Sequence, residues 1–246
     1  MDLIYPEIFR DKSTVECLFT TANRNSRDQK EGLDGLNFGI NTEEEDQVVS
    51  ENYNHLFDHL GWKQQKIALA RQVHGNRIAG VEQPGIYENC DGLVTTRPDL
   101  PLGIQVADCA AVLVADTKNK IIGAFHAGWR GAESNIVENG IDSMIRLNAD
   151  PKYSFAYISP CISLEKFEVG EEVAALFPDE FTDRVNFRKP HVDLKQILRR
   201  QLLNCGLTEN NIDVSGECTV SDNRFFSFRR ERSAAGRMLG LIKINS

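Results

Sequence analysis

The sequence predicts an α+β protein with a mixed β-sheet in one domain, and two observations support this class. Short apolar segments rich in β-branched residues mix irregularly with amphipathic helical segments, without the strict alternation of a doubly wound sheet. No internal repeat, low-complexity tract or linker divides the 246 residues, and 41% of them are hydrophobic. The chain can therefore bury a large core, and we expect a single domain over residues 1–246.

The N-terminal part is predicted to contain one strand and one long helix. Residues 17–21 have strand composition, and residues 23–35 are polar and contain glycine, as loops do. Residues 43–60 predict a helix because apolar side chains recur at helical spacing, acids crowd the first turn and Gly61 follows. Short strands are then predicted within 67–73, 78–81 and 87–95.

The central stretch, residues 104–131, carries the clearest chemistry. Two apolar β-branched segments, 104–115 and 121–125, flank a polar turn and predict two adjacent strands. Cys109 lies in the first segment, and His126 follows the second. The turn Ala-Gly-Trp-Arg-Gly comes next and leads into a predicted helix, a junction at which backbone N–H groups suit anions such as phosphate.

The C-terminal part is predicted to mix strands and helices. Asp193 is a predicted N-cap, and Gly206 is expected to end the helix that it starts. The predicted strands are 155–158, 218–220 and 238–244, and the predicted helices are 169–177 and the segment from Asp193 to Leu203.

Composition excludes several classes of partner. The net charge of −8 disfavours nucleic acids and anionic membrane surfaces, because both would repel the protein. No apolar stretch approaches the roughly 20 residues of a membrane span, and the first residues do not resemble a signal peptide. Six scattered cysteines without a C-x-x-C pair indicate reduced thiols, so we expect a cytoplasmic protein. A monomer or weak homodimer is expected.

Two of the five histidines, His74 and His126, are candidate metal ligands. Each closes an apolar strand and precedes a turn containing glycine, and functional groups collect where strands pass into loops. With Cys109 they would supply two imidazoles and a thiolate, which zinc binds tetrahedrally while keeping one position open. From the residues alone, two polar strand ends and a buried thiol remain an alternative.

The remaining candidates near this stretch have simpler interpretations. His55 and His59 lie four apart on the predicted helix, but the glutamate of the zincin pattern is missing, so they are expected to flank a packed face. His191 receives no role. Asp108 would point away from Cys109 in a regular strand, so it is expected to support the site unless the backbone bulges there.

Two arginines are candidates for substrate binding. Arg130 follows the glycine turn, and its forked donors suit a phosphate. Arg229 follows an aromatic segment, 225–228, and aromatic rings with a guanidinium can hold a planar base and an anion. The Phe-x-Phe alternation in that segment is more typical of the core face of a strand.

Several strings resemble the YfiH family. They are R-Q-V-H-G, D-G-L-V-T, A-D-C-A-A-V-L-V-A-D, H-A-G-W-R-G, F-E-V-G-E-E-V and C-T-V-S-D-N-R-F-F-S-F-R-R-E, and the resemblance extends over residues 17–242. This family was first described as polyphenol oxidase or laccase-like and later as purine nucleoside phosphorylase, with adenosine deaminase and methylthioadenosine phosphorylase activities. Some bacterial members are described as peptidoglycan-editing factors.

The resemblance implies a fold, a metal and substrates. The fold would be a mixed-sheet sandwich flanked by helices, shared with certain toxin-type cysteine hydrolases. His74, Cys109 and His126 would be zinc ligands and catalytic residues, acting on purine nucleosides and phosphate. One departure stands out: Ala22 occupies the place of an expected family arginine, which Arg24 or Arg27 could replace from the following loop.

Three alternative functions remain open from the sequence. Cys109 and His126 could be the nucleophile and base of a metal-free cysteine hydrolase, for example in editing peptidoglycan precursors. A copper-dependent polyphenol oxidase is disfavoured because too few histidines remain for a trinuclear cluster, and bound copper could be adventitious. The third is a binding module without catalysis. The sequence does not assign the catalytic acid, for which Glu168 is one candidate.

Overall fold

A computed structural model describes residues 1–24, 34–62 and 66–246, so most of the predicted loop at 23–35 lies outside the described residues. Among the helices of these ranges, none is long and apolar enough to cross a membrane. The strands are β1 Leu3–Ile4, β2 Val15–Thr20, β3 Ala68–Ala70, β4 Ile78–Gly80, β5 Gly85–Tyr87, β6 Gly92–Thr95, β7 Leu102–Val106, β8 Ala110–Asp116, β9 Ile121–Ala127, β10 Ser154–Ile158, β11 Thr182–Asp183, β12 His191–Val192, β13 Ile212–Val214 and β14 Met238–Ile244. The α-helices are α1 Asp46–His59, α2 Trp129–Glu133, α3 Ile136–Arg146, α4 Glu171–Ala174, α5 Leu194–Asn204 and α6 Phe228–Glu231.

The strands of the described ranges form two large mixed sheets and one small pair. The first sheet has the order β1-β2-β14-β7-β3-β5, with antiparallel neighbours from β1 to β7 and parallel neighbours from β7 to β5. The second has the order β13-β10-β8-β9-β6-β4, with parallel pairs at both edges and antiparallel pairs between them. The mixed-sheet prediction is therefore confirmed.

The two sheets pack face to face, and helices cover their outer faces. Side chains of β2, β3, β7 and β14 meet those of β6, β8 and β9 in one buried cluster. The outer face of the first sheet is covered by α1, whose Leu56 and Phe57 are buried there, and that of the second by α3 and α5. This order of layers, helix–sheet–sheet–helix, confirms the predicted sandwich flanked by helices.

Most helix predictions are confirmed, and their ends have local causes. The Asp193 carboxylate accepts the Gln196 N–H at 3.1 Å and caps α5, and Gly206 ends it with a φ of 94°. The helix after the glycine turn is divided into α2 and α3 by Asn135, whose φ is 62°. The helix predicted at 169–177 is only the four residues of α4.

The strand predicted at 104–115 is wrong, because the segment contains two strands in different sheets. The first sheet receives β7, which ends at Val106, and the second receives β8, which begins at Ala110. The chain crosses between them at residues 107–109, where Asp108 has a left-handed φ of 79°. A continuous apolar segment does not distinguish these arrangements, since both bury it. The crossing brings Cys109 to an end of the sandwich.

The strand predictions at 218–220 and across 225–228 are also wrong. Cys218 makes only an isolated bridge to Cys161, and Phe228 begins α6. The Arg230 side chain occupies the carbonyl groups that a neighbouring strand would otherwise pair with. Its acceptors are the carbonyl oxygens of Thr219, Val220 and Phe225.

The close approach of the two sheets at Gly240 can be tested by adding a methyl group. A Cβ at Gly240 would lie 2.6 Å from the Cβ of Ala111 in the facing sheet, whereas a Cβ at Gly80 would meet nothing within 4 Å. We expect Gly240→Ala to lower the free energy of unfolding by about 1–3 kcal/mol through overpacking. Gly80→Ala, the matched control, should leave it unchanged or raise it by up to about 1 kcal/mol. Denaturant titration measures both, and equal midpoints for the two variants would contradict the close packing.

Candidate metal centre

Three side chains from separate segments converge at one end of the sandwich. The possible ligand atoms of His74, Cys109 and His126 lie within 4.8 Å of one another. The two imidazole rings are nearly perpendicular, with centroids 4.8 Å apart. Within the described ranges, no other group of three or more His, Cys, Asp or Glu side chains is arranged to hold a metal ion. His126 is buried, Cys109 is half-buried and His74 is exposed, so the group opens to solvent on the His74 side.

The buried carboxylate of Asp91 holds two of these ligands in place. Its Oδ1 lies 2.8 Å from His126 Nδ1, which leaves Nε2 of that ring to face Cys109. The same carboxylate accepts the backbone N–H groups of Val73, His74 and Gly75 at 3.2, 2.9 and 2.8 Å. Burial raises the pKa of Asp91, but the contact with His126 and these backbone donors lower it by more. The net result is a pKa below the usual range of an aspartate. Asp91 is therefore ionised, and both of its carboxylate oxygens have hydrogen-bond partners.

The turn that carries His74 depends on this carboxylate. His74 has a left-handed backbone with a φ of 60°, which is unfavourable for a residue with a side chain. Three consecutive N–H groups pointing at Asp91 stabilise it. The sequence did not single out Asp91, since an acid followed by glycine is equally typical of an ordinary turn. Its one distinguishing feature was its place in the D-G-L-V-T string.

The electrostatics of the group favour a thiolate. Burial raises the pKa of the Cys109 thiol, but the charge of His126 and hydrogen bonds to His126 and His74 outweigh it and lower the pKa to about 6. Burial lowers the pKa of His126, but Cys109 and Asp91 outweigh it and raise the pKa to about 9. A thiolate beside an imidazolium results. Metal ions bind the thiolate form, and His126 would give up its Nε2 proton on binding a metal ion, because only the neutral imidazole is a ligand.

The donor set and the space around it fit a zinc ion. Two imidazole nitrogens and one thiolate are ligands that zinc accepts, with a fourth position left for water or substrate. Gly128 leaves room beside the sulfur, because a Cβ there would lie 2.7 Å from Cys109 Sγ. Copper also accepts these donors, so the residues alone do not distinguish the two metals.

The carboxylate of Asp108 bonds to residues other than the three candidate ligands. Its Oδ1 accepts the Thr219 hydroxyl at 2.7 Å. Its Oδ2 accepts the Ser227 hydroxyl at 3.1 Å and the Arg229 backbone N–H at 2.5 Å. Asp108 therefore ties the crossing at 107–109 to the start of α6.

A cavity of about 490 Å³ lies in front of the three candidate ligands, within the usual size range of small-molecule sites. Its apolar lining residues are Val106, Ala107, Trp129, Ile162, Phe167, Leu194 and Phe228. Its polar and charged lining residues, apart from the ligands themselves, are Asn41, Gln72, Gln105, Asp108, Arg229 and Arg237. This combination suits a molecule with a flat apolar part and several polar groups.

The two arginines predicted to bind substrate occupy different places. Arg229 lines the cavity, donates from Nη1 to the Glu168 carbonyl at 3.0 Å and lies 5.8 Å from the Phe167 ring. Arg130 is exposed, stacks on Trp129 at 4.4 Å and does not line the cavity.

Other residues considered from the sequence lie outside the cavity. Arg24 pairs with Glu231 at 2.5 Å and does not line it, and Arg27 lies outside the described residues. The Glu168 carboxylate pairs with Lys189 at 2.7 Å on the surface. Among the remaining histidines, His55 and His59 are exposed on α1, and His191 is bonded to a backbone carbonyl. The sequence did not single out Arg237.

The two-sheet fold and its His-Cys-His group define the class of protein. The chain belongs to the family described as multi-copper polyphenol oxidoreductase laccase, whose family model matches residues 16–245. This is the laccase-like YfiH family that the sequence strings resemble, so the resemblance is confirmed.

Relatives within this family carry the name purine nucleoside phosphorylase. One from Deinococcus radiodurans is 36% identical over 199 residues, covering 79% of this chain and 76% of the relative. One from Mycobacterium tuberculosis is 34% identical over 216 residues, covering 85% of each. The crystal structure of YfiH from Bacillus licheniformis superposes with a TM-score of 0.88 at 28% identity, covering 96% of this chain and 94% of that one. YlmD from Geobacillus stearothermophilus gives a TM-score of 0.87 at 26% identity, with 95% and 93% covered.

The role of Asp91 can be tested by removing its charge. In Asp91→Asn one acceptor oxygen becomes a donor that faces the N–H groups of 73–75, so the His74 turn and the His126 ring lose their anchor. We expect zinc affinity to fall about 10–100-fold, as when ligand-supporting residues are changed elsewhere. A competing chelating dye measures it, and circular dichroism identifies folded protein.

The exposed Asp99 provides the matched control for this change. Asp99→Asn makes the same chemical substitution at a side chain that is 57% exposed, so zinc affinity should not change. If folded Asp91→Asn binds zinc within twofold of the wild type, Asp91 does not support the ligands.

Proposed function

We propose that the protein is a zinc-dependent purine nucleoside phosphorylase, with His74, Cys109 and His126 as the metal ligands and catalytic residues. The observation that carries this proposal is the convergence of the three ligand atoms, within 4.8 Å, at a cavity of about 490 Å³. The names of the relatives, at 34–36% identity, support the substrate class. Adenosine deaminase and methylthioadenosine phosphorylase activities belong to the same proposal.

A bound zinc ion would supply Lewis-acid polarisation of an oxygen atom at the position left open by three protein ligands. The protein's own residues would hold and orient the reactants. Asp91 keeps the His126 ring in one orientation through its 2.8 Å contact with Nδ1. His74 is the exposed member of the three, so substrate would approach the group from its side.

The lining of the cavity supports a purine nucleoside as the ligand. Trp129, Phe167 and Phe228 offer flat apolar surfaces against which a purine can stack. Asn41 accepts a hydrogen bond from Arg71 through Oδ1, at 2.9 Å. No contact within the described part of the chain occupies Asn41 Nδ2, which can donate to a ribose hydroxyl.

A metal-free cysteine hydrolase is the second candidate, and the state of Cys109 favours it. The pKa of this thiol is lowered to about 6 beside His126, which is the arrangement of a nucleophile with its base. Editing of peptidoglycan precursors would fall within this candidate. A copper oxidase with a trinuclear cluster fits less well, because His55, His59 and His191 all lie outside the cavity lining.

The proposal extends to organisation and location. All six cysteines are free thiols, as expected in a reducing compartment, so we propose a cytoplasmic protein. One apolar cluster draws residues from both large sheets, which supports a single domain over residues 1–246. A monomer or weak homodimer that acts on nucleosides and phosphate completes the proposal.

Product analysis tests the reaction directly. Zinc-loaded protein is incubated with adenosine, inosine and methylthioadenosine, with and without phosphate. Phosphorolysis yields the free base and ribose 1-phosphate, or 5-methylthioribose 1-phosphate from methylthioadenosine, only when phosphate is present. Deamination yields inosine from adenosine without it. Unchanged nucleosides in every mixture would rule out the proposed activities.

Replacing the thiolate should remove both the metal and turnover. We expect Cys109→Ala to weaken zinc binding at least about 100-fold, because one of three protein ligands is lost, and to abolish turnover. Cys205→Ala, at a half-buried thiol following α5, should change neither. Metal analysis and product assays measure both effects.

Chelation of the wild type separates the two candidate functions. Turnover that disappears with a chelator and returns with zinc would support the phosphorylase. Turnover that persists without metal, with a covalent adduct on Cys109, would support the hydrolase instead.

A further inference from the structure

The cavity contains an arginine, Arg237, that the proposed function leaves unused. It lies directly before β14 and lines the cavity together with Cys109 and Asp108. Its Nη1 donates to the carbonyl oxygens of Ala235 and Gly236 at 2.5 and 3.0 Å. Among the described residues, no acceptor bonds its Nε or Nη2 atoms and no carboxylate forms an ion pair with it.

Several other arginines are neutralised by acidic side chains. Arg24 and Arg230 pair with Glu231, and Arg224 pairs with Asp222. Arg237 is half-buried, and no carboxylate among the described residues pairs with it. Burial lowers the pKa of its guanidinium more than the charges of Cys109 and Asp108 raise it, so these groups do not replace the lost hydration. A partly desolvated cation that lines a cavity is a strong site for an anionic ligand.

The fold holds the Arg237 side chain in a prepared position. Asn37 Oδ1 accepts the backbone N–H groups of Arg237 and Gly39, each at 2.8 Å. A Cβ at Gly39 would lie 2.6 Å from Arg237 Cγ, so the glycine makes room for the arginine stem. The two carbonyl groups at Nη1 then fix the plane of the guanidinium. A donor group held in advance loses little entropy on binding.

The unbonded atoms of Arg237 form the edge that recognises tetrahedral anions. Nε and Nη2 donate in parallel from one side of the guanidinium, with a spacing that matches two oxygens of a phosphate. Arg229 is the other arginine lining the cavity in the described part of the chain, and its Nη1 is occupied by the Glu168 carbonyl. Arg237 is the better prepared of the two, because two carbonyl groups rather than one hold its guanidinium and Asn37 anchors its backbone.

We propose that Arg237 binds a phosphate group in the cavity through its Nε–Nη2 edge, beside His74, Cys109 and His126. This inference rests on the proposed function and assigns its phosphate subsite to a residue other than Arg130 or Arg229. In phosphorolysis, a phosphate oxygen bonds to C1′ of the ribose while the bond to the purine nitrogen breaks. The electron pair of that bond leaves with the purine, which takes up a proton. Arg237 neutralises and orients the attacking phosphate.

A phosphate group could reach the subsite from two sources with the same chemistry. One is inorganic phosphate, and the other is the 5′-phosphate of a nucleotide. Calorimetric titrations of metal-free protein separate them, since the metal's own affinity for phosphate is then removed. One titration uses inorganic phosphate, and a second pair compares adenosine with adenosine 5′-monophosphate.

Two variants of Arg237 separate the contribution of the forked pair of donors from that of the positive charge. We expect Arg237→Gln to weaken phosphate binding about tenfold or more, and Arg237→Lys to fall between it and the wild type, because lysine keeps the charge without the fork. Arg97→Gln is the matched control, because Arg97 is 59% exposed beyond the end of β6 that lies away from His126. It should bind phosphate as the wild type does. Melting curves show which variants are folded, and the Lys variant keeps the test informative if the Gln variant is not.

Each result bears on the subsite. Inorganic phosphate binding that is lost in Arg237→Gln identifies the free anion as the ligand. A preference for the nucleotide over the nucleoside that is lost in the same variant identifies a 5′-phosphate. A wild type that binds neither phosphate source, or a folded Arg237→Gln that binds them as tightly as the wild type, overturns the proposal.

Kinetics distinguish failure of this inference from failure of the proposed function. If phosphorolysis occurs, Arg237→Gln should raise the KM for phosphate about tenfold or more while the KM for nucleoside changes less than about twofold. A merely structural role would change both. Phosphorolysis with an unchanged KM for phosphate would refute the subsite alone, whereas phosphate binding through Arg237 without turnover would refute the phosphorylase alone.

Discussion

The candidate site depends on one buried carboxylate that joins the two sheets. Asp91 precedes β6 of the second sheet, and its oxygens contact the imidazole of His126 on β9 of the same sheet. They also accept three N–H groups from the turn after β3, which belongs to the first sheet. An ionised group with no access to water requires such partners, since each lost contact would leave part of the buried charge uncompensated. The position of two metal-ligand candidates is thus part of the stability of the fold.

Strained backbone marks both crossings that bring the ligands together. His74 and Asp108 have left-handed φ angles of 60° and 79°, and each lies where the chain passes between the sheets. Hydrogen bonds to a carboxylate offset the backbone strain in each case. Asp91 accepts the His74 N–H at the first crossing, and Asp108 accepts the Ser227 hydroxyl at the second. These two strained residues lie where the chain brings His74 and Cys109 to the same end of the sandwich, next to His126.

The charge of the cavity differs from that of the whole protein. The chain carries a net charge of −8, yet Arg229 and Arg237 line the cavity without forming an ion pair with any described carboxylate. An overall negative charge disfavours polyanions such as nucleic acids, while a short-range contact with two guanidinium groups would still favour a small phosphate, as proposed above. Aromatic residues in the same lining favour a ligand that joins an anion to a flat base or binds beside one.

Local patterns in the sequence determined the elements whose signals lie within a few residues. The strand β14, the cap of α5 at Asp193 and the apolar stripe of α1 follow from periodicity and capping chemistry, and glycine turns after apolar segments pointed to His74 and His126. Tertiary structure decided that 104–115 divides between two sheets, because burial on either sheet produces the same apolar pattern. It also decided the surroundings of Asp91 and Arg237. The carboxylate finds its partners 16 to 35 residues away, and whether a described carboxylate pairs with the guanidinium depends on which distant residues pack near it. Neither property is present in the neighbouring sequence, since both arise from contacts that exist only after folding.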